Sequence, residues 1–367
     1  MKFAEKPYKS LVADPVTRNV HIVDQTLLPF AVEHRALGNW HDVAESISNM
    51  RVRGAPLIGV TAAFGVTLAM QEDATDDSLN VCLKALEATR PTAVNLAWAL
   101  NRMGKLLRGI DPSERADVSW AEATHILEED AEINRLIGTN ALPLIQALHS
   151  KHRRVINILT HCNAGRMACV DWGTATAPLY LAHQAGIPIH VWVEETRPRN
   201  QGLITRWELA DAGIPCTYLV DNAGGHLMQH GDVDLVFVGV DRVARNGDVA
   251  NKIGTYLKAL AAHHCGVPFY AFAPRSSIDF ALAAGVGVIP IESRSADEVR
   301  CVRGARHDGT IEEVRLLPED APVTNPGFDV TPASLVTGIV TESGIFAPAV
   351  LEAVLATEAQ PNPTVHL

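Results

Sequence analysis

The chain has no CxxC pair. Its six cysteines stand at 82, 162, 169, 216, 265 and 301. That spacing reads as neither a disulfide framework nor a zinc site. Reduced thiols in a cytoplasmic compartment fit it best. There is no GxGxxG and no GxxxxGK(S/T), which counts against dinucleotide and Walker-type nucleotide binding. The opening MKFAEKPYKS has no apolar core, so no signal peptide is expected. A long apolar, uncharged run covers 55–70. It falls short of the roughly 20 residues of a membrane span, and its early Pro56 suits the first turn of a buried helix. Positive charge is also scarce. Lys and Arg number 31 against 42 Asp and Glu, a net charge of −11, which speaks against nucleic-acid or anionic-membrane partners. An anionic ligand would therefore need a locally basic pocket. Repeats and low-complexity tracts are missing as well.

What is present fits a two-domain α/β protein. The chain has 367 residues, 47% of them hydrophobic and 20% charged, enough for two cores. Residues 1–149 read as a strand at Val20–Val23 followed by helices: Trp40–Met50, Pro56–Met70, Leu79–Ala88, Thr92–Leu107, and one or two over Trp120–Ala147. Residues 150–367 change character. Short apolar runs alternate with helical stretches: Val155–Thr160, Ile189–Glu194, Cys216–Val220, Leu235–Val240, Phe269–Ala273 and Val288–Pro290. Val- and Ile-rich strands separated by helices imply a doubly wound parallel sheet. The tail EAQPNPTVHL is expected to be poorly ordered.

Ligands of such sheets bind beyond the carboxyl ends of the strands. Four successive ends are polar: Thr160–Gly165, Glu194–Gly202, Asp221–Gly225, and Asp241–Gly247 with Asn251-Lys252. Together they suggest one large polar site. Cys162 follows the first strand and precedes a Gly-containing turn into a helix, where amides and the helix dipole would favour a thiolate, with His161 beside it. The same position also suits a small buried cysteine. Asp241 closes VFVGVD, where desolvation would raise its pKa and make it a general acid; a helix cap or an ion pair with Arg242 or Arg245 is the other reading. Arg53-Gly54-Ala55-Pro56 joins a charged fork to a helix start, a combination suited to phosphate. Arg90-Pro91-Thr92 is a similar junction. Asn251-Lys252 reads as a contact loop before a helix, and Gln201-Gly202 is a weaker signal. His263, His264 and Cys265 have no third ligand at metal spacing and read as structural.

RVRGAPLIG (51–59), RPTAVNLAWAL (90–100), THCNAG (160–165), VEETRPRNQG (193–202), VGVDRVARNGDVANKIGTY (238–256) and FDVTPASLVTGIVTESG (328–344) closely resemble the methylthioribose-1-phosphate isomerase family. That family is related to ribose-1,5-bisphosphate isomerase and to regulatory exchange-factor subunits of translation initiation. The resemblance covers nearly the whole chain. It implies a Rossmann-like C-terminal domain behind a smaller N-terminal domain, and a cytoplasmic homodimer. It also implies an aldose–ketose isomerase of methionine salvage that needs no metal or other cofactor. Cys162 falls on the family's catalytic cysteine and Asp241 on its proton donor. Arg53, Gly54, Ala55, Arg90, Gln201, Asn251 and Lys252 fall on its substrate-binding positions. The alternatives are isomerisation of ribose 1,5-bisphosphate or 5-deoxyribose 1-phosphate, and a regulatory subunit that binds ligand without chemistry.

Overall fold

The computed structural model describes residues 9–91, 93–351 and 353. Thr92 and the tail EAQPNPTVHL lie outside them. The chain opens with an antiparallel sheet of β1 (Leu11–Ala13), β2 (Val20–Val23) and β3 (His34–Leu37), then runs through α1 (Trp40–Ser48), α2 (Ala55–Glu72), α3 (Asp76–Thr89), α4 (Val94–Leu107) and α5 (Arg115–His152). Two of these helices start on side-chain caps, Asn39 for α1 and Thr75 for α3, which satisfy amides that have no partner inside the helix. By length and composition α2 could cross a membrane, but 89% of it is buried inside the protein. It is apolar all round because helices and the small sheet surround it.

The C-terminal part continues with β4 (Ile156–His161), α6 (Ala177–Gln184), β5 (Ile189–Glu194), α7 (Gly202–Asp211), β6 (Cys216–Leu219), α8 (Ala223–Gln229), β7 (Leu235–Gly239), β8 (Arg242–Ala244), β9 (Val249–Lys252), α9 (Thr255–Cys265) and β10 (Phe269–Phe272). There follow β11 (Ile278–Asp279), α10 (Asp297–Arg300), β12 (Cys301–Ala305), β13 (Ile311–Arg315), β14 (Phe328–Thr331), β15 (Gly338–Thr341) and β16 (Gly344–Phe346). The main sheet has the order β16-β15-β10-β7-β4-β5-β6, parallel except for β16. Side chains alternate between its faces. Ile158 and Phe237 pack on the side of α5, α6 and α7, whereas Leu159, Val236 and Val238 pack on the side of α8 and α9. This is the expected doubly wound arrangement.

Helix α5 joins the two halves. Its Trp120, Ala123 and Ile126 belong to the N-terminal core, and its Ile137, Ala141 and Ile145 to the sheet core. The expected Trp120–Ala147 helix is thus a single element of 38 residues that runs through Pro143. The expected strand at Val288–Pro290 does not form. Gly287 turns the chain there with φ 73°, and Pro290 has no N–H to give a ladder. The next parallel strand is instead β15, paired with β10.

Candidate active site

The strand order places a switch point between β4 and β7. From β4 the chain moves outward through β5 to β6, then returns to the other side of β4 as β7 and continues to β10 and β15. Loops leaving β4 and β7 diverge, so a crevice opens between them. A cavity of about 1100 Å³, its mouth included, lies there. Cys162 follows β4 and Asp241 follows β7, and both line it. So do Arg53, Gly54, Ala55, Arg90, Gln201, Asn251 and Lys252. The structure therefore brings all nine sequence-selected residues to one cavity.

The turn carrying Cys162 is held from two sides. Its φ is +65°, a left-handed conformation that costs a non-glycine residue roughly 1–2 kcal/mol. The Cys162 N–H donates to Thr196 Oγ1 at 2.7 Å, and the Thr205 hydroxyl donates to the Cys162 carbonyl at 2.7 Å. Burial pushes the thiol above its ordinary pKa, while Arg53 and Lys252 pull it back. This corrects the expectation of a thiol lowered by a helix dipole. Only a single 3-10 turn, Arg166–Ala168, follows the strand, and α6 does not begin until Ala177.

Asp241 is placed by the small sheet β11-β8-β9-β14. Its N–H donates to the Ala250 carbonyl at 3.0 Å, across the β8–β9 hairpin. Burial raises its carboxyl pKa, opposed by Lys252, Arg90 and Arg53. The direction is the one expected from the sequence. Asn251 and Lys252 are not in a loop, as expected, but close β9, where they pair with Asp329 and Phe328. Lys252 Nζ donates to the Gly327 carbonyl at 3.0 Å and sits 4.5 Å from the Phe328 ring centre. Burial lowers its pKa, against the pull of Cys162 and Asp241.

Arg53 reaches the same turn from the N-terminal part. Its guanidinium donates to Asn163 Oδ1 at 2.6 Å and to the Asn163 carbonyl at 2.7 Å. Gly54 precedes α2 with φ 98°, and a Cβ there would lie 2.4 Å from Ala168 Cα. Only glycine lets the first amides of α2 approach so closely. Arg90 faces Glu292 at 3.5 Å. Its Nε and Gln201 Oε1 are buried without a hydrogen-bond partner. Met50, Ile58, Ile289, Pro290, Ile291 and Phe328 form the apolar wall. Two of these, Ile289 and Pro290, come from the run misread as a strand.

One of the four polar strand ends is not part of the cavity lining. Asp221 after β6 accepts the N–H groups of Thr196 and Arg197, both at 2.8 Å, and so secures the neighbouring turn.

The model of the Initiation factor 2 subunit family matches residues 51–348. A methylthioribose-1-phosphate isomerase from Acidiphilium cryptum is 56% identical over 349 residues, which is 95% of either chain. The chain belongs to the methylthioribose-1-phosphate isomerase family. The crystal structure of 5-methylthioribose 1-phosphate isomerase from Pyrococcus horikoshii superposes with a TM-score of 0.82 at 38% identity, covering 96% of both chains. The A. fulgidus translation initiation factor eIF-2B subunit delta is also similar. Its TM-score is 0.76 at 35% identity, over 93% of this chain and 96% of that one.

For this member of the methylthioribose-1-phosphate isomerase family, sequence reasoning missed the groups that support the cavity. Asn163 holds Arg53, and the buried Glu208 accepts from Asn163 Nδ2 and from the amides of Arg166 and Met167. Glu194 meets both His161 and Lys258. His161, Glu194 and Asp221 are the one His/Cys/Asp/Glu group, among the described residues, compact enough to hold a metal, with donor atoms within 4.8 Å of one another. Lys258 Nζ already faces Glu194 at 3.3 Å, so the set reads as an ion-pair network. The signal available in the sequence was Lys258 itself, a lysine within the apolar helix TYLKALAA that is only 4% exposed.

Proposed function

We propose that this chain converts 5-methylthioribose 1-phosphate into 5-methylthioribulose 1-phosphate, the aldose–ketose step of methionine salvage. One joint observation carries the reading. A thiol, a pKa-raised carboxyl and three cationic side chains line one switch-point cavity, in a chain 56% identical to a methylthioribose-1-phosphate isomerase.

Phosphate on the anomeric oxygen blocks simple ring opening, so the ring oxygen needs an acid. Asp241, whose pKa burial raises, donates to it in its acid form as the C1–O4 bond breaks. Positive charge then develops at C1. In one route the Cys162 thiolate takes the C2 proton and returns it to C1 of the enol phosphate, while the C2 hydroxyl passes its proton back to Asp241. In the other, the C2 hydrogen moves to C1 with its electron pair, while the C2 hydroxyl returns a proton to Asp241. The first route needs Cys162 ionised and Asp241 protonated together. The second needs only the acid. Burial raises both groups, which supports the hydride shift, with the neutral thiol packed at C2. Arg53, Arg90 and Lys252 grip the phosphate. Gly54 and Ala55 offer the free amides of α2, and Asn251 and Gln201 bind hydroxyls. The apolar wall takes the methylthio group. We also read the chain as a cytoplasmic homodimer without nucleic-acid or membrane partners. The family resemblance supports the first, and the net charge of −11 the second.

Ketose formation should be measured side by side on 5-methylthioribose 1-phosphate, 5-deoxyribose 1-phosphate and ribose 1,5-bisphosphate. Preference for the first is expected. Preference for the bisphosphate, or ketose from none, contradicts the reading. Turnover in deuterated water should leave C1 of the product free of solvent deuterium; deuterium at C1 would restore the proton route.

A further inference from the structure

His161 ends β4 next to Cys162, lines the cavity, and is 1% exposed. Both of its ring nitrogens face oxygen acceptors. Nδ1 lies 2.8 Å from Glu194 Oε2, and Nε2 lies 2.9 Å from the Ile253 carbonyl. A neutral imidazole carries one N–H and one lone pair, so here it would aim that lone pair at an oxygen. Thr196 offers no relief. Its hydroxyl donates to the Glu194 carbonyl at 3.1 Å, so it turns a lone pair toward Nδ1, 3.4 Å away.

Two proton arrangements remain. Either the ring carries two protons, or it is neutral and the missing proton sits on Glu194 Oε2. The same Oε2 is 3.3 Å from Lys258 Nζ, and an ammonium there opposes a proton on that oxygen. The wider surroundings agree. From β5 the ring meets Glu194, from the end of β6 it meets Asp221 at 3.8 Å, and from α9 it meets Lys258 through Glu194. From β14 Asp329, which accepts the Gly254 and Tyr256 amides, lies close enough to the ring to interact with it. Three carboxylates against one ammonium leave room for a second buried cation.

We propose that His161 is a fixed imidazolium, a positioning residue that ties the Cys162 turn to Ile253, and thus to Lys252, and takes no part in proton transfer. The two motifs that supply the thiol and the phosphate-binding lysine are then held in register by one buried charge. The effect on turnover rests on the isomerase reading; the charge does not.

The full chain labelled with ¹⁵N-histidine tests this without substrate. At pH 8.5 a histidine of ordinary pKa, about 6.5, is neutral. Among the 15 histidines, the His161 signals are identified by their loss in H161Q or, should that variant not fold, by their shift in E194Q. Both ring nitrogens of His161 are expected to be protonated in the wild type. One protonated and one bare nitrogen would overturn the proposal. E194Q should move loss of the His161 proton to lower pH and raise KM for 5-methylthioribose 1-phosphate about 10-fold, the scale of one charge-assisted hydrogen bond. The pH profile of kcat should stay in place. A kcat profile that shifts with the His161 titration would make the ring a proton-transfer group and end the proposal. The doubly protonated ring, seen in a protein that turns over none of the sugars, would support the charge assignment while removing the isomerase reading.

Discussion

Asp241 and Asp221 both follow a strand of the same parallel sheet, in polar turns of similar composition, and they do opposite work. Asp241 follows β7 at the switch point, where neighbouring loops part, and it faces a cavity whose burial raises its pKa. Asp221 follows β6 at the sheet edge, where both its oxygens are occupied by backbone amides. A carboxylate at a strand end is thus chemical or structural according to where its strand sits relative to the reversal in strand order. A second pair makes the same point. Cys162 and Cys169 both line the cavity, but Cys162 keeps some exposure while Cys169 is fully buried, its Sγ 3.6 Å from Asn134 Oδ1.

The largest effect should separate the two aspartates. D241N removes the proton donor and should cost kcat about 10²–10⁴-fold, the range typical of a general acid, with the fold intact by circular dichroism. D221N should cost kcat no more than about 10-fold and instead lower Tm, because an amide NH₂ cannot accept the second backbone N–H. Equal kinetic losses would dissolve the comparison.

The cysteines come next. C162A removes the thiol that stabilises the transition state at C2 and should lose about 10²-fold in kcat, whereas C169A should stay within several-fold of wild type. Steady-state kinetics on the purified variants decides it, and a C169A loss as deep as that of C162A would show that nearness to the cavity alone sets the effect.

The smallest effect concerns a carboxyl far from any strand end. Asp130 is buried in α5 and accepts the Val170 amide at 2.8 Å; burial raises its pKa to about 7. The folded state therefore holds this proton more tightly than the unfolded chain, where the pKa is about 3.9. The resulting stability is fully present below that value and is lost as pH rises toward 7. D130N has no such proton to lose, so its Tm relative to wild type should improve between pH 5 and pH 8. A constant difference across that range would mean that Asp130 does not titrate there.

The main sheet was legible because its strands are Val- and Ile-rich runs between breakers, and β5 falls on the residues expected, Ile189–Glu194. The sheet β11-β8-β9-β14 was not legible. Its strands have two to four residues, and Asn251-Lys252 looks like loop composition until β14 pairs with it. The apolar triplet Val288–Pro290 misled for the converse reason: its apolar character serves a cavity wall. Cys162 and Asp241 stood out as strand-end residues, but the sign of the thiol shift did not. It depends on a burial of the turn that only the tertiary fold brings about, with Arg53 and Lys252 opposing it. The His161–Glu194–Lys258 network joins three elements and leaves no local pattern.

The most direct test of the central claim, that Asp241 and Cys162 act together on one sugar ring, is turnover of 5-methylthioribose 1-phosphate by wild type, D241N, C162A and the double variant. Residues acting on one reaction centre are strongly non-additive. Ketose formation by wild type is expected, with a double-variant loss far smaller than the product of the single losses. Wild-type turnover by either single variant, or losses that simply multiply, would contradict it.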